Sequence, residues 1–212
     1  MPRIFEGDRL VVATHNPGKL RELEALLAPR GITLLAAAAA GLEAPAETGT
    51  TFLDNARLKA LAAARATGLP ALADDSGLEV RGLDGAPGIA TADWAGPERD
   101  FARAMKRVRS ELAARFGSFE AADRRAAFVA ALCLAWPDGH VECAEGRIEG
   151  TIAPEPRGEG GFGYDPLFIP DGETRTFAQM LASEKEALSH RARAMAALLG
   201  ACFPPPRPHP SG

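Results

Sequence analysis

Leu69-Pro70-Ala71-Leu72-Ala73-Asp74-Asp75-Ser76-Gly77-Leu78 passes from an apolar run straight into two adjacent carboxylates and a Ser-Gly pair. It reads as a short buried strand over 69–72 that ends in paired acids and a turn at a sheet edge, with 78–80 as a further short strand. Negative charge fixed at a strand end is where a hard metal ion finds oxygen ligands. Asp and Ser also cap ordinary turns, so the acids gain meaning only if a phosphate cradle accompanies them.

Upstream, Leu10-Val11-Val12-Ala13-Thr14 is a β-branched strand, and His15-Asn16-Pro17-Gly18-Lys19 leads into a helix with Leu20, Leu23, Leu26 and Leu27 on one stripe. Such a junction points backbone N–H groups and the positive end of a helix dipole at an anion, and Lys19 adds a full charge in the first turn. It is not a G-x-x-x-x-G-K-[ST] loop, because Ala13 and Leu20 stand where the first Gly and the Ser/Thr belong. Thr50-Thr51-Phe52-Leu53-Asp54 opens a second helix that runs to Thr67-Gly68, and Asn55 and Lys59, four apart, share one of its faces.

Downstream, residues 82–88 form a Gly- and Pro-rich loop, and a helix covers roughly 97–116. The apolar run 126–136 shows little alternation, which predicts a strand buried on both faces; Pro137-Asp138-Gly139 turns it, and His140 to Ile152 returns as the second arm of an antiparallel hairpin. Arg157-Gly158-Glu159-Gly160-Gly161-Phe162-Gly163-Tyr164-Asp165-Pro166 surrounds one aromatic with glycines, a loop that lets backbone approach a ligand and offers Phe162 to a flat base or to the core. The helical pattern over 176–199 restarts at Ser189, a good N-cap. His190 and Arg191 then occupy a first turn, where cations oppose the dipole and need an anionic or polar partner, and Lys185 can close the same site.

With 212 residues and 46% hydrophobic content, the chain supports one core over 1–203, followed by a Pro-rich tail over 204–212 that cannot form regular structure. A formal net charge of −4 argues against a broad nucleic-acid or anionic-membrane surface, so an anionic substrate must be met by local donors. No apolar run approaches a membrane span and the N-terminus lacks a signal-peptide core, which together predict a cytoplasmic protein. Cys133, Cys143 and Cys202 lack C-x-x-C spacing; Cys133 and Cys143 can face each other across the hairpin, but a reducing compartment disfavours a bridge.

Six ordered motifs carry a resemblance: Thr14-x-Asn16-x-x-Lys19; Glu47-Thr48-Gly49-x-Thr51-Phe52 with Asp54-Asn55-Ala56 and Lys59-Ala60; Ala73-Asp74-Asp75-Ser76-Gly77-Leu78; Gly85-Ala86-Pro87-Gly88; Gly161-Phe162-Gly163-Tyr164-Asp165-Pro166; and Glu184-Lys185 with Ser189-His190-Arg191. Over roughly residues 10 to 200 the chain resembles the non-canonical purine nucleoside triphosphate pyrophosphatases, also called inosine/xanthosine triphosphate pyrophosphatases. The resemblance implies an α/β fold with a long mixed β-sheet flanked by helices, two lobes around a central cleft, and a homodimer that hydrolyses ITP, dITP and XTP to the monophosphate and pyrophosphate with Mg²⁺. By similarity, Thr14, His15, Asn16, Pro17, Gly18 and Lys19 bind the triphosphate, Lys59 neutralises it, and Asp75 is the catalytic acid/base or metal residue, with Ser76 beside it. Phe162, Gly163, Tyr164, Asp165, Lys185, His190 and Arg191 then hold the nucleotide and its base, and Glu47 and Asp74 are candidate co-ligands of the metal. Hydrogen-bond polarity makes Arg191 a candidate donor to the 6-oxo group that adenine lacks. The alternative is a Maf-like pyrophosphatase of modified or pyrimidine nucleotides.

Where many members of that family read Ser-Ala-Arg-Tyr-Ala-Gly, this chain has Thr91-Ala92-Asp93-Trp94-Ala95-Gly96, an anion in place of a cation. Asp54 replaces a more frequent Glu, and Gln179 stands where an acid is common.

Overall fold

A computed structural model describes residues 1–37 and 39–203; the Pro-rich tail expected over 204–212 lies outside the described residues. Among these, six strands form one sheet in the order β2-β1-β3-β4-β5-β6. Strand β1 (Arg9–Val12) is parallel to β2 (Thr33–Ala36) and to β3 (Ala71–Val80), whereas β3, β4 (Arg125–Ala135), β5 (Val141–Ile152) and β6 (Phe168–Pro170) run antiparallel to their neighbours. The sheet is therefore mixed, as expected.

Strand β3 differs from its expected form. It does not stop at the acids but continues through Asp74, Asp75, Ser76 and Gly77 to Val80, paired with β4 along its whole length, so 78–80 is its second half. Asp, Ser and Gly have low strand propensity, but ten cross-strand partners on β4 override it. Strand β1 pairs with β3 only at Ala71 and Leu72 and then turns away, which leaves the β3 edge open from Ala73 to Gly77, before residues 86–91 cover it through the Glu79–Pro87 bridge and the Leu78 N–H to Thr91 Oγ1 bond. A cleft opens at that point, at the carboxyl end of β1, where the chain leads to β2 on one side and β3 on the other.

Helices cover both faces. On one, α1 (Pro17–Leu27) and α5 (His190–Cys202) pack Leu23, Leu27, Met195 and Leu198 on Leu72, Leu132 and Leu134. On the other, α2 (Phe52–Thr67) lays Ala56, Ala60, Ala63 and Ala64 on Ala71, Ala73 and Ala131. Small side chains on both surfaces allow a close approach, and each fully buried leucine of the first face contributes about 1.5–3 kcal/mol. A third cluster joins α3 (Phe101–Phe116) to the far ends of β3, β4 and β5 through Leu78, Phe128 and Ile152.

Three helix starts coincide with the capping residues in the sequence. Asn16, Thr51 and Ser189 cap α1, α2 and α5 through their side chains, and Gly68 ends α2 at φ 67°. Helix α3 starts later than expected, at Phe101, because Asp100 takes the N-cap and accepts from the Arg103 N–H. The 176–199 pattern is split into a single 3-10 turn over 177–179, α4 (Ala182–Leu188) and α5. Strand β4 is buried on both faces, as its sequence predicts. The expectation of unbridged cysteines is overturned: the hairpin register sets Cys133 directly opposite Cys143, 4.2 Å apart at Cα, and the two form a disulfide, leaving Cys202 as a free buried thiol. No helix among the described residues is long and apolar enough to cross a membrane.

Candidate active site

Strand alternation sends the adjacent acids to opposite faces of β3. Asp75 faces α2, where Lys59 Nζ donates to its Oδ1 at 2.8 Å and Asn55 Nδ2 to its Oδ2 at 3.3 Å. The i, i+4 spacing of Asn55 and Lys59 does put them on one face, as expected. Lys59 also donates to Glu47 Oε1 at 3.0 Å. Burial raises the Asp75 pKa, and Lys59 and Lys19 only partly offset that. For Lys59 burial acts downward, but Asp75 and Glu47 outweigh it and hold the ammonium protonated.

Asp74 faces α1 and α5. Lys19 Nζ lies 2.6 Å from its Oδ1, Arg191 Nε donates to its Oδ2 at 2.8 Å, and Ser76 Oγ donates to its Oδ1 at 3.0 Å. Burial alone would raise the Asp74 pKa; Arg191 and Lys19 reverse this and hold it far below the usual carboxylate range. Arg191 spends its remaining nitrogens on Ser76 Oγ, at 2.9 Å, and on Glu22 Oε2. Its guanidinium is 1% exposed, and each of its three nitrogens already donates within the chain. The anionic partner that a cation in the first turn of α5 needs is found within the chain. Lys19 is lowered by burial despite Asp74.

The remaining predicted residues frame the same space. Asn16 Oδ1 accepts from the Gly18 and Lys19 N–H groups at 2.9 and 3.2 Å, Pro17 is the first residue of α1, and Thr14 Oγ1 accepts from the Asn16 N–H. His15 leans away to the Leu42 carbonyl at 2.9 Å. Phe162 rests on Gly18 so closely that a Cβ there would lie 2.5 Å from its ring. Its N–H donates to Asp165 Oδ2, and Lys185 donates to Asp165 at 2.6 Å and to Glu22 at 2.8 Å. Burial raises the Asp165 pKa, with Lys185 partly offsetting it. Gly163 sits at φ 66°, and Tyr164 is a core residue whose hydroxyl donates to the Thr91 carbonyl. His190 is buried and stacked on Phe128 at 5.0 Å, and its Nδ1 has no hydrogen-bond partner among the described residues. Burial, then Arg191, hold its pKa well below the ordinary value.

Apart from Pro17 and Gly18, which sit just behind its wall, every predicted site residue lines one cleft of about 420 Å³. Glu22 was missed, although its place three residues after Lys19 on α1 is a helical-face signal that could have found it. Among the described residues no cluster of three or more His, Cys, Asp or Glu forms a ready-made metal cage. Glu47 and Asp75 do meet at the same Lys59 ammonium, so two carboxylates converge on one cation position.

The model of the Ham1 family matches residues 10–201. The dITP/XTP pyrophosphatase of Rhodospirillum centenum is 58% identical over 205 residues, covering 95% of this chain and 98% of that protein. The dITP/XTP pyrophosphatase of Gluconobacter oxydans is 52% identical over 203 residues, with 96% and 95% covered. Among solved structures, a HAM1 protein from Coxiella burnetii superposes with a TM-score of 0.81 at 38% identity, over 90% of this chain and 95% of that one. Sequence and fold agree along nearly the whole chain, and it belongs to the Ham1 family.

Proposed function

We propose that this protein hydrolyses non-canonical purine nucleoside triphosphates, dITP, ITP and XTP, to the monophosphate and pyrophosphate. The observation that carries the reading is the convergence of Lys59, Asp75 and Glu47 opposite the capped start of α1, with an aromatic loop closing the same cleft. The dITP/XTP pyrophosphatase activity for which the relatives are named supports it.

The phosphate chain enters beside the Asn16 loop, where backbone N–H groups at the start of α1 favour an anion. Lys19 and Lys59 turn from their carboxylates toward the phosphates and neutralise the charge that develops on the pyrophosphate leaving group. That frees Asp75, whose raised pKa suits it to orient the attacking water and take its proton. Glu47 and Asp75 would hold Mg²⁺, which takes one or two protein carboxylates and completes its shell with water and phosphate oxygens. When bound, the ion supplies Lewis-acid stabilisation of the phosphoryl oxygens. The buried Nδ1 of His190, as an N–H donor, gains a partner in a 6-oxo purine and loses it with the amino group of adenine. The motif resemblance carries the further reading of a homodimer.

A pyrophosphate-release assay over ITP, dITP, XTP, GTP, ATP, dUTP and dTTP, with and without Mg²⁺, tests this. The 6-oxo purines should dominate and require Mg²⁺, and Asp75→Asn should lower kcat about 10²–10⁴-fold. Dominant turnover of dUTP or dTTP would overturn the reading.

A further inference from the structure

Five cations line the cleft, and four are already committed to carboxylates: Lys19 to Asp74, Lys59 to Asp75 and Glu47, Lys185 to Asp165 and Glu22, and Arg191 to Asp74 and Glu22. Glu43, Glu47, Asp74, Asp75 and Asp165 also line it, so the wall carries as many acids as bases before any ligand arrives. A polyanionic triphosphate meets no surplus of positive charge from the paired groups. The fifth cation, Arg99, has no ion-pair or side-chain hydrogen-bond partner among the described residues and is exposed at the cleft wall.

The backbone at Arg99 is also unusual. It lies at φ 54°, the left-handed region that glycine enters freely and an L side chain enters at a cost of roughly 1 kcal/mol. The turn is held on both sides: the Arg99 N–H donates to the Gly96 carbonyl and the Asp100 N–H to the Ala95 carbonyl, both at 3.0 Å, while Asp100 caps α3. Phe101 on α3 and Thr91 and Ala92 on the preceding loop line the cleft beside Arg99, whereas Asp93, the anion in the segment 91–96, does not. Arg99 thus lines the same cleft as Lys19 and Lys59, at a position where a glycine would have been the easier residue for the turn.

We propose that Arg99 is a substrate-binding residue that contributes the uncommitted positive charge of the cleft to the phosphate chain of the bound nucleotide. The inference rests on the nucleoside triphosphate reading of the cleft. Its guanidinium reaches the phosphates without first surrendering a carboxylate, which Lys19 and Lys59 must do.

Arg99→Gly keeps the left-handed turn and removes only the side chain, and Arg99→Lys keeps the charge. Steady-state kinetics on dITP and calorimetric titration with inorganic tripolyphosphate are compared for the wild-type protein and both variants, with Tm recorded for each. Arg99→Gly should raise KM and weaken tripolyphosphate binding roughly tenfold, the scale of one charge-assisted contact, with kcat changed less and Tm at or above wild type. Arg99→Lys should recover most of both losses. Unchanged KM and tripolyphosphate affinity in Arg99→Gly would overturn the proposal, as would a KM effect without a tripolyphosphate effect, or no recovery in Arg99→Lys. Wild-type protein that turns over no nucleoside triphosphate would instead sink the underlying functional reading, whatever Arg99 does to tripolyphosphate.

Discussion

Asp74 and Asp75 are adjacent in sequence yet serve different charge networks, because neighbouring residues on a strand point to opposite faces. Asp75 meets Lys59, which also pairs with the half-exposed Glu47, whereas Asp74 is sealed between Lys19 and Arg191. This separates their roles: Asp75 can be released to chemistry, while Asp74 holds α1 and α5 to the sheet. Asp74→Asn keeps the shape but leaves Lys19 without a counter-ion and Arg191 with only Glu22. Breaking one partner out of a buried pair costs about 3–5 kcal/mol, so thermal unfolding should show a Tm lower by roughly 10 °C. A Tm within about two degrees of wild type would mean the network is redundant. Sequence motifs picked out Lys19, Asp74, Lys185 and Arg191 of this network but not Glu22, which lies outside them. They did not show that each Arg191 nitrogen already has a partner within the chain, since pairing across 117 residues depends on which face of β3 each acid takes.

At the scale of elements, the ends of helices were legible and the length of β3 was not. Asn16, Thr51 and Ser189 announce helix starts through local hydrogen bonds that their own side chains make, so nearby sequence suffices to place them. Asp-Asp-Ser-Gly looks like a turn for equally local reasons, and only the facing strand β4 with its buried Leu132 and Ala131 makes it a strand. Gly18 shows how two distant elements depend on each other. The helix would tolerate alanine at this position, but the added methyl would meet the Phe162 ring at 2.5 Å and push the 161–165 loop off the start of α1. Gly18→Ala should therefore keep the Tm near wild type and lower kcat/KM for dITP roughly tenfold or more, because that loop closes the cleft. If kcat/KM were unchanged, Phe162 would be a passive wall rather than part of substrate positioning.

For the whole molecule, three hydrophobic clusters are joined by a single sheet, and the buried charges sit where the clusters part around the cleft. His190 lies at that junction, stacked on Phe128 of β4 and one residue from Arg191, with Asp74, Lys185 and Lys19 also acting on it. Its folded pKa is depressed, first by burial and then by Arg191, from an unfolded value near 6.5. Between the two values the unfolded chain binds a proton that the folded chain refuses, so the stability His190 contributes is fully present above about pH 6.5 and is lost as pH falls through the folded pKa. Raised carboxyls such as Asp165 act in the opposite sense over part of the same range, so the informative quantity is the pH dependence of the difference between wild type and His190→Gln, since the lost stacking on Phe128 shifts that difference by a constant and only the titration gives it a slope. Urea unfolding at intervals from pH 7.5 to about 5 should show wild type losing stability relative to His190→Gln as pH falls below 6.5, by up to about 1.4 kcal/mol per pH unit, one proton's worth. Parallel curves for the two proteins would mean that His190 is protonated alike in the folded and unfolded chains, and that burial does not hold its imidazole neutral.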